Sequence, residues 1–171
     1  MTTAEELVER FSMQENTAEG GYFAEVYTAS LLLPANFATR QPNQQLPICG
    51  SIYYMVTEAS FSALHRVSSD MLYHFYAGDP VEVLLLDPSG ASPEERRVDF
   101  GNDLGAGQHP SLVIPGGVWM GSRMKGSGAY AFMGVSMAPA FDPASYEIGA
   151  REALTAQFPE SAALVAEYTR S

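Results

Sequence analysis

Alternating apolar and polar residues predict β-strands through the middle of the chain. From residue 48 to about 137, short apolar segments are separated by turn signals such as Gly78–Asp79–Pro80 and Pro115–Gly116–Gly117. Many short strands at such close spacing are typical of a β-sandwich or barrel. The predicted strands cover residues 50–57, 61–67, 71–77, 81–87, 95–100, 111–114, 118–124 and 129–137. An earlier strand, Tyr22–Tyr27, follows the turn at Gly20–Gly21.

Helical spacing is confined to the two ends of the chain. Leu7, Val8 and Phe11 predict a short amphipathic helix over residues 3–13. The segments Ala144–Phe158 and Ser161–Tyr168 predict two further helices, separated by Pro159. The prolines and polar residues of 34–47 predict a loop.

These patterns predict a single all-β domain. No helical segment separates the central strands, as a parallel sheet would require, and 171 residues are enough to bury a core. We expect one domain over residues 1–171, with the barrel at about 20–140 and C-terminal helices at about 144–168.

The charge of the chain argues against several kinds of partner. The net charge is −11 and Lys125 is the only lysine, so the surface repels phosphate backbones and anionic lipid. We therefore expect no nucleic-acid or membrane partner. The single cysteine, Cys49, and an N-terminus without signal-peptide character predict a cytoplasmic protein.

His65 is the strongest candidate for chemistry. An imidazole acts as a general base when a carboxylate or phenol orients it. The candidate partners are acidic and phenolic side chains of the predicted strands and turns: Glu25, Asp70, Tyr53, Tyr73 and Tyr76. We predict that His65 forms the catalytic set together with two of these residues, Glu25 and Tyr53. Arg40, Arg66 and Arg123 would recognise a carboxylate or phosphate at a barrel mouth, or form surface ion pairs.

Six segments of the chain, in order, resemble the cupin_5 family of the cupin superfamily. They are E-G-G-Y-F-A-E-V-Y (19–27), S-I-Y-Y-M-V (51–56), F-S-A-L-H-R-V-S-S-D (61–70), Y-H-F-Y-A-G-D-P (73–80), V-I-P-G-G-V-W (113–119) and A-P-A-F-D-P-A-S-Y-E (138–147). The resemblance implies a double-stranded β-helix, or jelly roll, and a homodimer. It also implies a shape similar to deoxysugar epimerases and seed-storage cupins.

The resemblance also implies that the usual cupin metal site is degraded. His65 matches the first ligand of that site, but Val67, Met71 and Met120 occupy the positions of the second histidine, the carboxylate and the last histidine. Imidazoles and carboxylates suit Mn, Fe, Ni and Zn, so we expect no metal cofactor. The two thioethers with His65 would suit only a soft ion such as Cu(I), or would fill an apolar barrel.

The same comparison predicts the residues of a barrel pocket. The expected ligand-binding residues are His65, Met71, Tyr73, His74, Trp119, Met120 and Arg123. Methionine at two positions that are polar in typical members makes this pocket more apolar.

Three functions follow, in order of preference. The first is binding of a small, partly apolar organic ligand, without a cofactor. The alternative is a metal-independent epimerase or isomerase of sugar-nucleotide type, with a His–carboxylate base and a tyrosine acid. A metal-dependent oxygenase or decarboxylase comes last, because the ligand positions of the metal site are lost.

Overall fold

Two antiparallel β-sheets make up most of the molecule. The computed structural model describes residues 2–34, 45–90 and 94–170, and in these ranges eleven strands are present. They are β1 Gln14–Glu15, β2 Tyr22–Thr28, β3 Gly50–Thr57, β4 Ser62–Arg66, β5 Asp70–Gly78, β6 Val81–Asp87, β7 Glu94–Phe100, β8 Ser111–Ile114, β9 Trp119–Met124, β10 Tyr130–Ala138 and β11 Glu147–Ile148. The helices are α1 Ala4–Phe11, α2 Arg151–Gln157 and α3 Ala162–Glu167.

The strand order is that of a jelly roll. One sheet has the order β1-β2-β3-β10-β5-β8 and the other β11-β4-β9-β6-β7. Inward-facing residues of both sheets, such as Tyr73 of β5, Val83 of β6 and Met133 of β10, share one core. The all-β fold predicted from the alternating pattern is therefore confirmed.

Short helices cover the outer faces of both sheets. Leu84, Leu86 and Trp119 of the second sheet pack against α2, α3 and the residues that follow them, which explains why β6 is apolar on both faces. Helix α1 packs Leu7 against Met55 and Phe132 of the first sheet. No helix of the described ranges has the length and apolar character needed to cross a bilayer.

The structure differs from the prediction mainly after residue 140. The helix expected from Ala144 is instead a 3₁₀ turn, Pro143–Ser145, followed by β11, and α2 begins only at Arg151. The cause is tertiary, because β11 pairs with β4 and Gly149 donates its N–H to the carbonyl of Leu64 at 2.7 Å. Most of the predicted loop over 34–47, with Arg40, lies outside the described residues.

Candidate functional site

A cavity of about 350 Å³ lies between the two sheets. Its wall is mostly apolar and includes Phe23, Ile52, Val67, Met71, Val135 and Met137. The exposed residues Glu25 and Tyr27 of β2 mark its mouth. Its polar end is deep, because Glu19 and His65 are only 6% and 3% exposed.

Three side chains at the polar end contact one another, and we call them the Glu19 cluster: Glu19, His65 and Tyr146. The phenol of Tyr146 donates a hydrogen bond to Oε2 of Glu19 at 2.9 Å. The same oxygen lies 3.4 Å from Nε2 of His65. The rings of His65 and Tyr146 stack with centroids 5.7 Å apart. The cluster thus joins a carboxylate, an imidazole and a phenol without contact to bulk water at its centre.

The position of the His65 protons follows from its neighbours. Nδ1 lies 2.8 Å from the carbonyl oxygen of Ala63, which can only accept, so Nδ1 carries a proton. Nε2 and Oε2 of Glu19 attract each other only when a proton lies between them. The pair is therefore an imidazolium with a carboxylate, or a neutral imidazole with a carboxylic acid.

The tyrosines around the cluster remain protonated. Burial, and then the charge of Glu19, raise the pKa of the Tyr54 and Tyr73 phenols well above the ordinary value. The same two causes raise the pKa of Tyr146, which also donates to Glu19. Tyr54 donates to the carbonyl of Gly20 at 2.7 Å. These phenols serve as hydrogen-bond donors and not as phenolates.

A tight turn before β2 positions Glu19. The amides of Ala18 and Glu19 donate to Oδ1 of Asn16 at 3.1 and 3.3 Å. The carbonyl of Glu19 accepts the N–H of Ala63 at 2.8 Å, which ties the turn to β4. Gly20 has φ +98°, and a Cβ there would lie 2.2 Å from the carbonyl oxygen of Phe61. Only glycine fits at this position.

The short strand β11 positions Tyr146. Glu147 and Ile148 pair with Arg66 and His65 of β4, which places the preceding ring against the imidazole. Arg66 reinforces this pairing, because Nε and Nη2 both donate to Oε2 of Glu147, at 3.0 and 2.6 Å.

Several residues predicted for the site do reach the cavity. His65, Met71, Tyr73 and Glu25 all line it. Met120 is fully buried and pairs with His65 across β4 and β9. Its Sδ accepts a long hydrogen bond from the Tyr73 phenol at 3.8 Å, so it supports the cavity wall from behind.

Other predicted residues lie elsewhere. Tyr53 and Tyr76 are on the outer face of the first sheet, where they contact Phe132. His74 lies on the outer side of β5, since its neighbours Tyr73 and Phe75 face the core. Asp70 accepts the N–H of Gly116 at 2.8 Å and stabilises a turn. The acid and phenol that contact His65 are thus Glu19 and Tyr146, and not the predicted Glu25 and Tyr53.

Trp119 and Arg123 are also outside the cavity. Trp119 packs under the C-terminal helices, with the guanidinium of Arg66 at 4.4 Å from its ring centroid. Arg123 lies 4.5 Å from the Phe61 ring centroid and donates to the carbonyl of Glu167. Alternation explains this placement, since Met120 faces inward and Trp119 and Arg123, one and three residues away in β9, face the other way.

The residues present do not fit the metal of the cupin superfamily. In the described ranges, no three His, Cys, Asp or Glu side chains converge as a metal site. Val67 and Met71 line the cavity beside His65 and contribute neither imidazole nor carboxylate. The donor set thus lacks the ligands that hard and borderline ions prefer.

Sequence reasoning missed Glu19, Tyr54 and Tyr146 as site residues. One local signal was available for Glu19, because an acid directly before two glycines can be carried into a site by a glycine turn. No local pattern distinguishes Tyr54 from Tyr53, and Tyr146 depends on the pairing of β11.

Comparison with known proteins agrees with this architecture. The family model Cupin_5, described as cupin superfamily (DUF985), matches residues 5–149. A hypothetical protein from Leishmania major is 25% identical with a TM-score of 0.87, and covers 99% of this chain and 100% of its own. A Shewanella oneidensis protein is 26% identical with a TM-score of 0.84, and covers 99% of both chains.

A more distant similarity concerns the fold alone. Oxalate decarboxylase from Bacillus subtilis is 15% identical with a TM-score of 0.53, over 92% of this chain and 37% of the decarboxylase. No curated protein matches the chain.

Proposed function

Because the chain belongs to the cupin superfamily, in the Cupin_5 (DUF985) family that matches residues 5–149, we propose that its barrel binds a small, partly apolar organic molecule. One observation carries the proposal: an enclosed apolar wall ends in the buried Glu19 cluster. Ligand sites commonly combine apolar walls with a few convergent polar groups. A cavity of about 350 Å³ is of the size that holds such a ligand.

The apolar body of the ligand would lie against Ile52, Met71 and Val135, which line the cavity. A polar group at one end of the ligand would reach Glu19 or Tyr146. Displacement of water from the apolar wall contributes most of the affinity, and the polar contacts orient the ligand.

Binding of a neutral probe, 2-phenylethanol, tests the proposal. We expect a dissociation constant in the millimolar range, as a probe of this size allows, measured by ligand-observed NMR. Val135→Phe fills part of the cavity and should abolish binding. Val26→Phe is the matched control, because Val26 is 47% exposed on β2 and is not among the residues that line the cavity. Equal binding by both variants would show that the probe sits elsewhere.

A second candidate function is metal-independent proton transfer, which the contact between Glu19 and His65 favours. Glu19 would remove a proton from a carbon next to a carbonyl, and His65 would stabilise the resulting charge. Tyr146 would return its proton to that carbon and take up the proton of the Glu19 carboxyl to which it is hydrogen-bonded, so that it is again a phenol. A sugar nucleotide is a poor substrate here, because no lysine or arginine is among the described residues that line the cavity.

Incubation with uridine- and thymidine-diphosphate sugars in D₂O tests this second candidate. Deuterium at a sugar carbon, detected by NMR and lost in Glu19→Gln, would support proton transfer. If none of these sugars exchanges a proton for deuterium, sugar nucleotides are not substrates for proton transfer by this protein.

We further propose that the protein is a homodimer. Leu72 and Val113 are partners across β5 and β8, and both are exposed, at the edge of the first sheet. Two copies that pack here would bury this apolar pair. Analytical ultracentrifugation of the wild type and of Val113→Glu checks this, with a monomeric variant as the expected result. A cytoplasmic location stays a prediction.

A further inference from the structure

We infer that the ligand of the cavity is an organic cation, with an ammonium group at Glu19 and an apolar body along the barrel wall. This inference rests on the proposed binding function and narrows its ligand class. Three features of the cavity carry it: its charge, its aromatic lining and the hydrogen bonds already made at its polar end.

The Glu19–His65 pair carries no net charge in either protonation state, and Glu25 adds one negative charge at the mouth of the cavity. Glu19 and Glu25 line it, and no lysine or arginine does so within the described ranges. A bound anion would find no cation except His65, which already pairs with Glu19, and it would meet the Glu25 carboxylate at the mouth. A bound ammonium ion would displace the proton shared by Glu19 and His65. It would then donate to the Glu19 carboxylate at the deep end, with Glu25 as a second negative charge at the mouth.

The nearby arginines are occupied elsewhere. Arg66 is held between Glu147 and the Trp119 ring. Arg170 donates to the backbone carbonyls of Glu19 and Phe61, at 3.3 and 3.2 Å, and lies over the Phe61 ring. These contacts hold both guanidinium groups outside the cavity lining.

Six aromatic side chains line the cavity: Phe23, Tyr27, Tyr54, Tyr73, Phe141 and Tyr146. The face of an aromatic ring attracts a cation, and several rings around one site recognise organic ammonium groups. Phe141 and Tyr146 meet edge to face with centroids 6.1 Å apart, so their rings form two differently oriented walls of the cavity, and Tyr146 also contacts Glu19. This lining accepts a cation with an apolar body better than a strongly hydrated inorganic ion.

The hydrogen bonds at the polar end favour a donor on the ligand. The hydroxyl of Tyr146 already donates its hydrogen bond to Glu19, and the hydroxyl of Tyr54 donates to the carbonyl of Gly20. The Glu19 carboxylate has about four acceptor sites, more than Tyr146 and His65 together fill. An ammonium group supplies the missing donors, whereas the carboxylate of an anionic ligand would supply none.

Three probes that differ in one polar group test the inference: 2-phenylethylamine, 2-phenylethanol and phenylacetate. At pH 7.5 the first is a cation, the second neutral and the third an anion. We expect 2-phenylethylamine to bind about ten-fold more tightly than 2-phenylethanol, by calorimetry and NMR. Phenylacetate should bind most weakly.

The variant Glu19→Gln separates charge from cavity shape. It should bring the affinity for 2-phenylethylamine down to that for 2-phenylethanol, which itself changes little. Glu15→Gln is the matched control, because Glu15 is exposed on β1 and outside the cavity. If Glu19→Gln does not fold, Glu25→Gln at the mouth should still weaken only the amine.

Each outcome is distinct. Equal affinity for the amine and the alcohol, or tighter binding of phenylacetate, overturns the cation inference and leaves the binding function intact. Failure of both 2-phenylethanol and 2-phenylethylamine to bind at millimolar concentration overturns the binding function itself. Preference for the amine that Glu19→Gln and Glu25→Gln both leave unchanged also overturns the inference.

Discussion

Nε2 of His65 lies 3.4 Å from Oε2 of Glu19, although the two residues belong to different elements. His65 is on β4, and Glu19 is in the turn before β2. The N–H of Ala63, two residues before His65, donates to the carbonyl of Glu19. The contact between the two side chains therefore depends on how closely the turn approaches β4.

Gly20→Ala should break this approach. The residue has a left-handed backbone, and a Cβ would lie 2.2 Å from the carbonyl oxygen of Phe61. A side chain thus adds both backbone strain and a backbone overlap, and we expect a loss of at least about 2 kcal/mol in the free energy of unfolding. Urea denaturation measures this loss, and binding of 2-phenylethanol should weaken with it.

Gly126→Ala is the matched control. Gly126 also has a left-handed backbone, with φ +72°, but a Cβ there would have no neighbour within 4 Å. This variant should lose only about 1 kcal/mol, from backbone strain alone. Equal losses in the two variants would show that the overlap at Gly20 relaxes without cost.

The fold was predictable because alternation along a strand is a local signal. In β5, for example, the polar residues Asp70 and His74 are more exposed than Met71, Tyr73 and Phe75, with which they alternate. The failure at 144–150 has a different origin. The pairing of β11 with β4 is a contact between distant segments, and no spacing of residues near Tyr146 reveals it.

The candidate site was predictable only in part. His65 matched a motif. Its predicted partners, Glu25 and Tyr53, were chosen only because they lie in predicted strands. In β3, adjacent residues point to opposite faces of the sheet. Tyr54 faces the cavity and Tyr53 faces away from it. Glu19 lies outside any strand, so alternation has no bearing on it. Glu19 is buried because its turn packs against β4, which is a contact between distant parts of the sequence.

Alkaline pH should destabilise the protein through its buried phenols. Burial, with the charge of Glu19 second, raises the pKa of Tyr73 and Tyr146, and burial, with Glu82 second, raises that of Tyr168. The folded chain holds these protons more tightly than the unfolded chain. The stabilisation is therefore complete below pH 10 and falls above it, by about 1.4 kcal/mol per pH unit for each such phenol.

Stability measured by urea denaturation from pH 9 to 11.5 checks this dependence. In Tyr73→Phe, the free energy of unfolding should fall less steeply with pH above pH 10, because one of the buried phenols has been removed. Met71→Leu, which changes the same cavity wall without removing a phenol, should keep the wild-type slope. An unchanged slope in Tyr73→Phe would mean that this phenol already ionises in the folded protein.

Protein purified without chelator or nickel affinity resin should contain transition metal below about a tenth of an equivalent. The reason is the donor set, since Val67, Met71 and Met120 replace the imidazoles and carboxylate at the positions that correspond to cupin ligands. Elemental analysis for Mn, Fe, Ni, Cu and Zn measures the content. One equivalent of copper that Met71→Leu removes would instead support a soft site with His65.

Arg66→Lys should loosen β11 and with it Tyr146. Lysine keeps the charge but loses the two-pronged donation to Glu147 and the flat contact with the Trp119 ring. Because the pair is partly exposed, the loss in unfolding free energy should be small, about 1 kcal/mol. The local effect should be larger: faster amide hydrogen exchange at Gly149, whose N–H bonds to Leu64, and altered fluorescence of Trp119, the single tryptophan.

Arg97→Lys provides the control for this last change. Arg97 is on β7, more exposed, and its contacts with Glu82 and Glu95 are longer, at 3.9 and 3.6 Å. It should leave amide exchange at Gly149 as in the wild type. If Arg66→Lys also leaves that exchange unchanged, the backbone pairing of β11 with β4 is sufficient to hold Tyr146 beside His65, and Arg66 contributes only to overall stability.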